Sequence, residues 1–447
     1  MSKCELKPGI GQQLVNQIGK VLHCHFPDLE NRLMGIVDPR KHREYKLSEL
    51  LFGGIMLFVF KEGSRNAYDL DRKEQQFREN YENILGMRMP GGDAIDDVLC
   101  AIDPIEIERL KIQLMHVLIA KKVFHKFRLL RKYFIVSVDG TGICSYKSNY
   151  CGECTSKTSK NGKTTYYHHV LEAKLITTND MAFSIGTEWI RNETEEYEKQ
   201  DCEINAFKRL AKRIKKNFPR LPIVIVVDGL YANEPFFKIC KEHGWEFIVT
   251  FKDGNLPSVH QEIGLLPNTA KQQYERQIPR GKNKMIKQQY TYINQIEYQK
   301  FSLSYIRCNE DLLSLKDKGI ETVGTFVHLS SFAIDRQNYH LLSQGGRLRW
   351  AIENSFDYLK NHGYNLGHKY SRVSFRALRN YYQCMMLAHA INQFIEKSSE
   401  IQCLKKQDSK VTIKYLWKRL IAFLLENKVN KVVYDQFVRK RGQIRLV

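Results

Sequence analysis

Residues Ile223-Val224-Ile225-Val226-Val227 are five consecutive β-branched aliphatic side chains with no polar residue between them. A half-buried strand alternates apolar and polar residues. A run without alternation is a strand covered on both faces, the signature of a sheet flanked by helices. The stretch before it, Asp201 to Phe218, places Ile204, Phe207, Leu210, Ala211 and Ile214 on one helical face opposite a basic one, and Pro219 and Pro222 end it. A second short run, Phe134-Ile135-Val136-Ser137-Val138, precedes two further strand patterns, His169 to Thr177 and Ala182 to Ile190. After Val227 come a helix pattern, Asn233 to His243, and a strand pattern, Trp245 to Phe251. With 447 residues the chain has room for about three domains at roughly 150 residues each. Its 43% hydrophobic and 27% charged residues exclude a disordered chain and a disulfide-stapled miniprotein.

The flanks read differently. Residues 1–130 are mostly helical, with one apolar segment at Lys46 to Phe60 and one long helical pattern at Asp96 to Phe124. Residues 131–263 hold the strands and helices just described. Residues 264–336 are rich in Gln, Lys, Tyr and Ile with partial alternation, the mark of an antiparallel β insertion. Residues 337–396 return to helix, at Tyr339 to Asn361 and Phe375 to Glu396, and residues 397–447 form a basic helical end.

Lys and Arg total 70 against 49 Asp and Glu, a formal charge of +21 and a pI near 9.4. That excess points to a polyanionic partner, with nucleic acid first among them; solvated surface charge is the plainer alternative. Basic runs at Lys121 to Lys132, Lys208-Arg209 and Lys212 to Lys216 are candidate phosphate contacts. The tyrosines of Tyr274 to Tyr305 suit either base stacking or sheet packing. The apolar run from Leu50 to Phe60 is about half of what spans a bilayer. With no secretory pattern visible, a cytoplasmic, nucleoid-associated protein without membrane contact is expected. Eleven scattered cysteines fit reduced thiols.

Two strand patterns end in Asp-Gly, at Asp139-Gly140 and Asp228-Gly229. A carboxylate at the mouth of a buried strand is costly unless paired or bound to a metal. Two together repel, and a cation between them resolves the conflict. The alternative is that each Asp-Gly is a turn signal. A third acid lies in Arg349-Trp350-Ala351-Ile352-Glu353-Asn354-Ser355-Phe356-Asp357-Tyr358-Leu359-Lys360, where Arg349, Glu353 and Lys360 share one helical face.

Together these segments resemble the DDE transposases of the IS4-like insertion-sequence group. The resemblance rests on VDGTG around Asp139, KQDCE at Lys199 to Glu203, VVDGLYAN around Asp228 and RWAIENSFDYLK around Glu353. Arg349, Glu353 and Lys360 match the last three members of that group's Y-x2-R-x3-E-x6-K signature, while its Tyr position is Gly346 here. The resemblance implies an α/β, RNase H-like catalytic core with a β-strand insertion, flanked by helical regions of which the N-terminal one binds DNA. It implies Asp139, Asp228 and Glu353 as catalytic ligands of two Mg²⁺ ions (or Mn²⁺), with Arg349 and Lys360 on DNA phosphates. The implied activity is strand cleavage at the terminal inverted repeats of an element and strand transfer into target DNA, of cut-and-paste type, by a homodimer on double-stranded DNA. The alternatives are a catalytically inactive or host-adopted DNA-binding protein with the same fold, and a plain RNase H-like nuclease.

Cys151-x2-Cys154, followed after thirteen residues by His168 and His169, is a candidate zinc clamp between the first two strands. A complete second half with separated ligands is missing, and a reduced thiol pair in a loop is the competing reading.

Overall fold

The computed structural model describes residues 9–41, 43–149, 151–192, 200–281, 283–314, 319–372, 374–408, 410–440 and 444–446. Ten strands form one sheet: β1 (Phe134–Tyr146), β2 (Thr155–Thr158), β3 (Thr164–Ile176), β4 (Ala182–Ile190), β5 (Ile223–Val227), β6 (Glu246–Thr250), β7 (Gln272–Pro279), β8 (Lys284–Tyr298), β9 (Phe301–Ser314) and β10 (Ile320–Ser330). Their order is β2-β3-β1-β5-β6-β10-β9-β8-β7, with β4 on β3 beyond β2. β3 runs antiparallel to β1 and β4. β5 runs parallel to β1 and β6. The β7–β10 meander of the expected insertion is antiparallel throughout and joins the core at β6 through β10.

Helices cover both faces. Adjacent strand residues point to opposite sides, and Ala173 pairs with Gly186, against which Leu210 and Ile214 of the helix Glu203–Asn217 pack. On the other side, Glu172 and Lys174 face the helices Pro104–Ala120, Trp350–Asn361 and Phe375–Glu396. Every residue of β5 is buried, as its unbroken aliphatic run requires.

The terminal helices form a second mass. Leu47–Val59 is buried along its whole length and packs on Phe375–Glu396, while Ile10–His25 packs on Ile413–Glu426 and Lys431–Arg439. The N-terminal helices therefore sit against the C-terminal ones. No helix among the described residues is long and apolar enough to cross a membrane.

Several sequence boundaries shift. The pattern at Asp96 to Phe124 is two helices, Gly92–Ala101 and Pro104–Ala120, because Pro104 cannot donate a helical hydrogen bond and Asp103 caps the new start by accepting from Ile105 N at 3.0 Å. Tyr339 to Asn361 also divides, into Tyr339–Arg347 and Trp350–Asn361. Gly345 and Gly346 weaken the helix there, and the joint tightens into i,i+3 bonds from Leu348 N to Gly345 O and Arg349 N to Gly346 O. β1 does not stop at Asp139-Gly140 but runs on to Tyr146, so this Asp-Gly is not a turn. β2 and the helix Pro257–Leu265 have no counterpart in the sequence reading, being short and weakly patterned.

A buried polar network fixes the helix Trp350–Asn361 to the sheet. Glu172 and Lys174 are both 0% exposed. Glu172 accepts from Ser184 Oγ, from Thr187 Oγ1 at 2.9 Å and from Tyr382 Oη at 2.9 Å. Lys111 donates to the same two hydroxyls, of Ser184 and Thr187. Lys174 donates to Ser355 Oγ and lies 4.7 Å from the Phe356 ring centre. Glu172 is the carboxylate whose charge reaches both buried lysines, with Glu108 adding to it at Lys111. Glu172→Ala should therefore cost about 3 kcal/mol of stability in urea unfolding; an unchanged midpoint would contradict the network's role.

Candidate active site

β1 brings Asp139 to the sheet centre and β5 delivers Asp228 at its end. Asp139 pairs in register with Glu172, so it faces the side that carries the helix Trp350–Asn361 and hence Glu353. Its Oδ1 accepts from Gly140 N at 3.0 Å. Asp228 opens the short turn Gly229–Tyr231, and its Oδ1 accepts from Leu230 N at 2.9 Å.

A fourth acid joins them. Glu203, in the first turn of the helix Glu203–Asn217, accepts from Tyr231 Oη at 2.7 Å. A Cβ on Gly140 would lie 3.0 Å from Glu203 Oε2, so the glycine after Asp139 makes room for a neighbouring carboxylate. Glu203 ends the KQDCE segment and is not among the expected site residues; Lys199 lies outside the described residues. The available signal was an acid opening an amphipathic helix next to the strands that carry the aspartates.

The electrostatics register this convergence. Burial, then repulsion from Glu203 and from Glu353, pushes the Asp139 carboxyl up to about 7, with Arg349 acting against the rise. Burial also raises Glu203, and the charge of Asp228 adds to it. Tyr231 is held well above its usual value by burial and by Glu203, Asp139 and Asp228. Hard oxygen donors that repel one another suit a divalent cation such as Mg²⁺. The three predicted ligands do not close as tightly as a thiol–histidine site does. Among the described residues, the single group of three metal-capable side chains with all ligand atoms within 4.8 Å is Cys151, Cys154 and His168.

Arg349 and Lys360 part company. Arg349 is 5% exposed, forms an ion pair with Glu353 and lies 4.5 Å from the Trp350 ring centre. It restrains the acid. Lys360 is exposed, on the side of His169, whose pKa its charge helps burial to lower. At Gly346 the missing Tyr of the family signature has a physical counterpart. The ring of His328 on β10 would lie 2.5 Å from any Cβ there. Burial, with Arg347 and Arg349 nearby, lowers His328 to about 4 and keeps it neutral.

The basic runs divide as well. Arg209 is tied to Glu188 and Asp201, and Arg213 to Glu108 and Glu188, whereas Lys208, Lys212 and Lys216 are exposed. Lys121, Lys122, Lys126, Arg131 and Lys132 are exposed too. Three insertion tyrosines take up packing roles: Tyr274 stacks on Tyr292 and on Tyr339 of the following helix, and Tyr290 meets Tyr339 edge-on.

Residues 198–393 match the family described as the transposase DDE domain. The matched segment contains Glu203, Asp228, Arg349, Glu353 and Lys360 and begins after Asp139. The match supports a DDE transposase as the kind of protein this chain resembles, and with it a transposition activity on DNA. No curated protein matches the chain.

The raised Asp139 carboxyl fixes a sign. An acid whose folded pKa exceeds its unfolded value of about 3.9 is protonated longer in the folded protein. The metal-free chain should therefore lose stability as pH rises from about 4 through about 7. Asp139→Asn should flatten that slope in urea unfolding, and Mg²⁺ at neutral pH should restore stability to the parent; an identical slope in both chains would contradict the clustering. Gly346→Ala should cost about 1–3 kcal/mol through its clash with His328, and His328→Ala in the same chain should recover part of it. A single variant as stable as the parent would remove His328 from that role.

Proposed function

We propose that this chain is an insertion-sequence transposase of the IS4-like group, cutting DNA at element ends and joining the freed 3′-hydroxyls to a target. The observation that carries the reading is the convergence of acids from β1, the end of β5 and the first turns of two helices, with Glu203 and Glu353 repelling Asp139 and Asp228 repelling Glu203. An RNase H-like core is supported by the strand order β4-β3-β1-β5-β6, three antiparallel strands followed by two parallel ones.

In this reading Asp139, Asp228 and Glu353 hold two divalent ions, Mg²⁺ or Mn²⁺. When bound, such ions lower the pKa of an attacking water or 3′-hydroxyl and stabilise the leaving oxygen of an in-line displacement. Arg349, itself buried, keeps Glu353 aimed at the cluster through their ion pair, and its location favours this over a free phosphate clamp. Lys360, exposed near the C-terminal end of the same helix, supplies a point charge for a phosphate near the cut bond. Glu203 sets the local charge and, with Tyr231, braces the turn after Asp228. The exposed lysines of residues 121–132 and 208–216 suit the DNA backbone on either side. Joining two ends to one target needs two such centres, hence a homodimer assembled on paired inverted repeats.

The test uses DNA carrying the inverted repeats that should flank the gene, with and without Mg²⁺. Wild-type protein should cleave at the repeat ends only with the ion. Asp228→Asn should abolish cleavage and leave end binding largely intact in a mobility-shift assay. Cleavage by that variant at the parental rate would refute the assignment.

A further inference from the structure

Outside the carboxylate cluster, the connection after β1 brings two thiols and an imidazole to a point. Cys151 Sγ and Cys154 Sγ are 3.5 Å apart, and His168 Nε2 lies 3.6 Å from the first and 3.5 Å from the second. Zn–S bonds near 2.3 Å and Zn–N bonds near 2.0–2.1 Å at tetrahedral angles place sulfurs about 3.8 Å apart and S···N pairs about 3.6 Å apart. The near-equilateral triangle matches those separations. Neither cysteine is in a disulfide.

The surroundings hold the ligands in place. Cys154 N donates to Cys151 O at 3.1 Å, closing the Cys-x2-Cys turn, and Asn192 Nδ2 donates to Cys154 O at 3.0 Å. The His168 ring is 1% exposed and stacks on Phe375 with centres 3.9 Å apart and planes at 12°. Nε2 is thereby aimed at both sulfurs. We propose that Cys151, Cys154 and His168 bind one structural Zn²⁺, with a water in the fourth position. Both thiols bind as thiolates, their protons passing to solvent. The ion pins the β1–β2 connection to β3. It anchors the hairpin β2–β3, whose tip carries the exposed Lys157, Lys160 and Lys163. This site shares no residue with the carboxylate cluster and does not depend on the transposase reading.

The experiment is metal analysis of the full chain purified without chelator or added metal, with far-UV circular dichroism as the check on folding. One zinc per chain is expected. Cys151→Ser combined with Cys154→Ser should lose it, His168→Cys should keep it by supplying a third thiolate, and Asp228→Asn should be unaffected. Replacing zinc with Co²⁺ should give the thiolate-to-metal absorption and ligand-field bands of a tetrahedral site. A folded parent with no zinc, zinc retained in the double serine variant, a Cys151–Cys154 disulfide by mass, or Co²⁺ without thiolate bands would each overturn the proposal.

Discussion

Like charges held together against their repulsion are the constraint on which the rest of this molecule turns. Asp139 sits in the middle of a long central strand, Asp228 at the end of the parallel neighbour, and Glu203 and Glu353 at the starts of helices on opposite faces. No local conformation gathers residues so far apart in the chain. The fully aliphatic β5, the paired β1 and β3 and the two helical layers bring them together, and the stability of those layers offsets the repulsion. In the proposed reading, a bound cation would offset that repulsion.

The supporting structure is polar where it touches the site. Glu172, directly across the ladder from Asp139, gathers Ser184, Thr187 and Tyr382, while Lys174 two residues on reaches Ser355 on the helix of Glu353. Arg349, one turn before Glu353, is buried against Trp350 and holds the acid by an ion pair. Glu353 is thus fixed by an ion pair from its own helix, and that helix by a hydrogen bond from β3. Such a buried network specifies one geometry more than it adds net stability.

Much of this was legible in the residue pattern. β5 could be bounded in advance, because an uninterrupted apolar run between a proline and an Asp-Gly has one reading. The β insertion was visible from alternation, though not its union with the core sheet, since strand pairing at an edge leaves no local trace. Glu203 escaped because an acid in a first helical turn is ordinary in itself; only the approach of Gly140 marks it. The filling of the space beside Gly346 by His328, eighteen residues earlier on β10, belongs to packing that no spacing rule encodes. Helix breaks at Pro104 and at Gly345-Gly346 were written in the sequence but were masked by continuous hydrophobic periodicity on both sides.

The most direct test of the account is crystallographic: diffraction from crystals soaked in Mn²⁺, read by its anomalous signal. The account predicts manganese density coordinated by carboxylate oxygens of Asp139, Asp228 and Glu353. Density elsewhere on the protein with this cluster empty at saturating Mn²⁺ would contradict it.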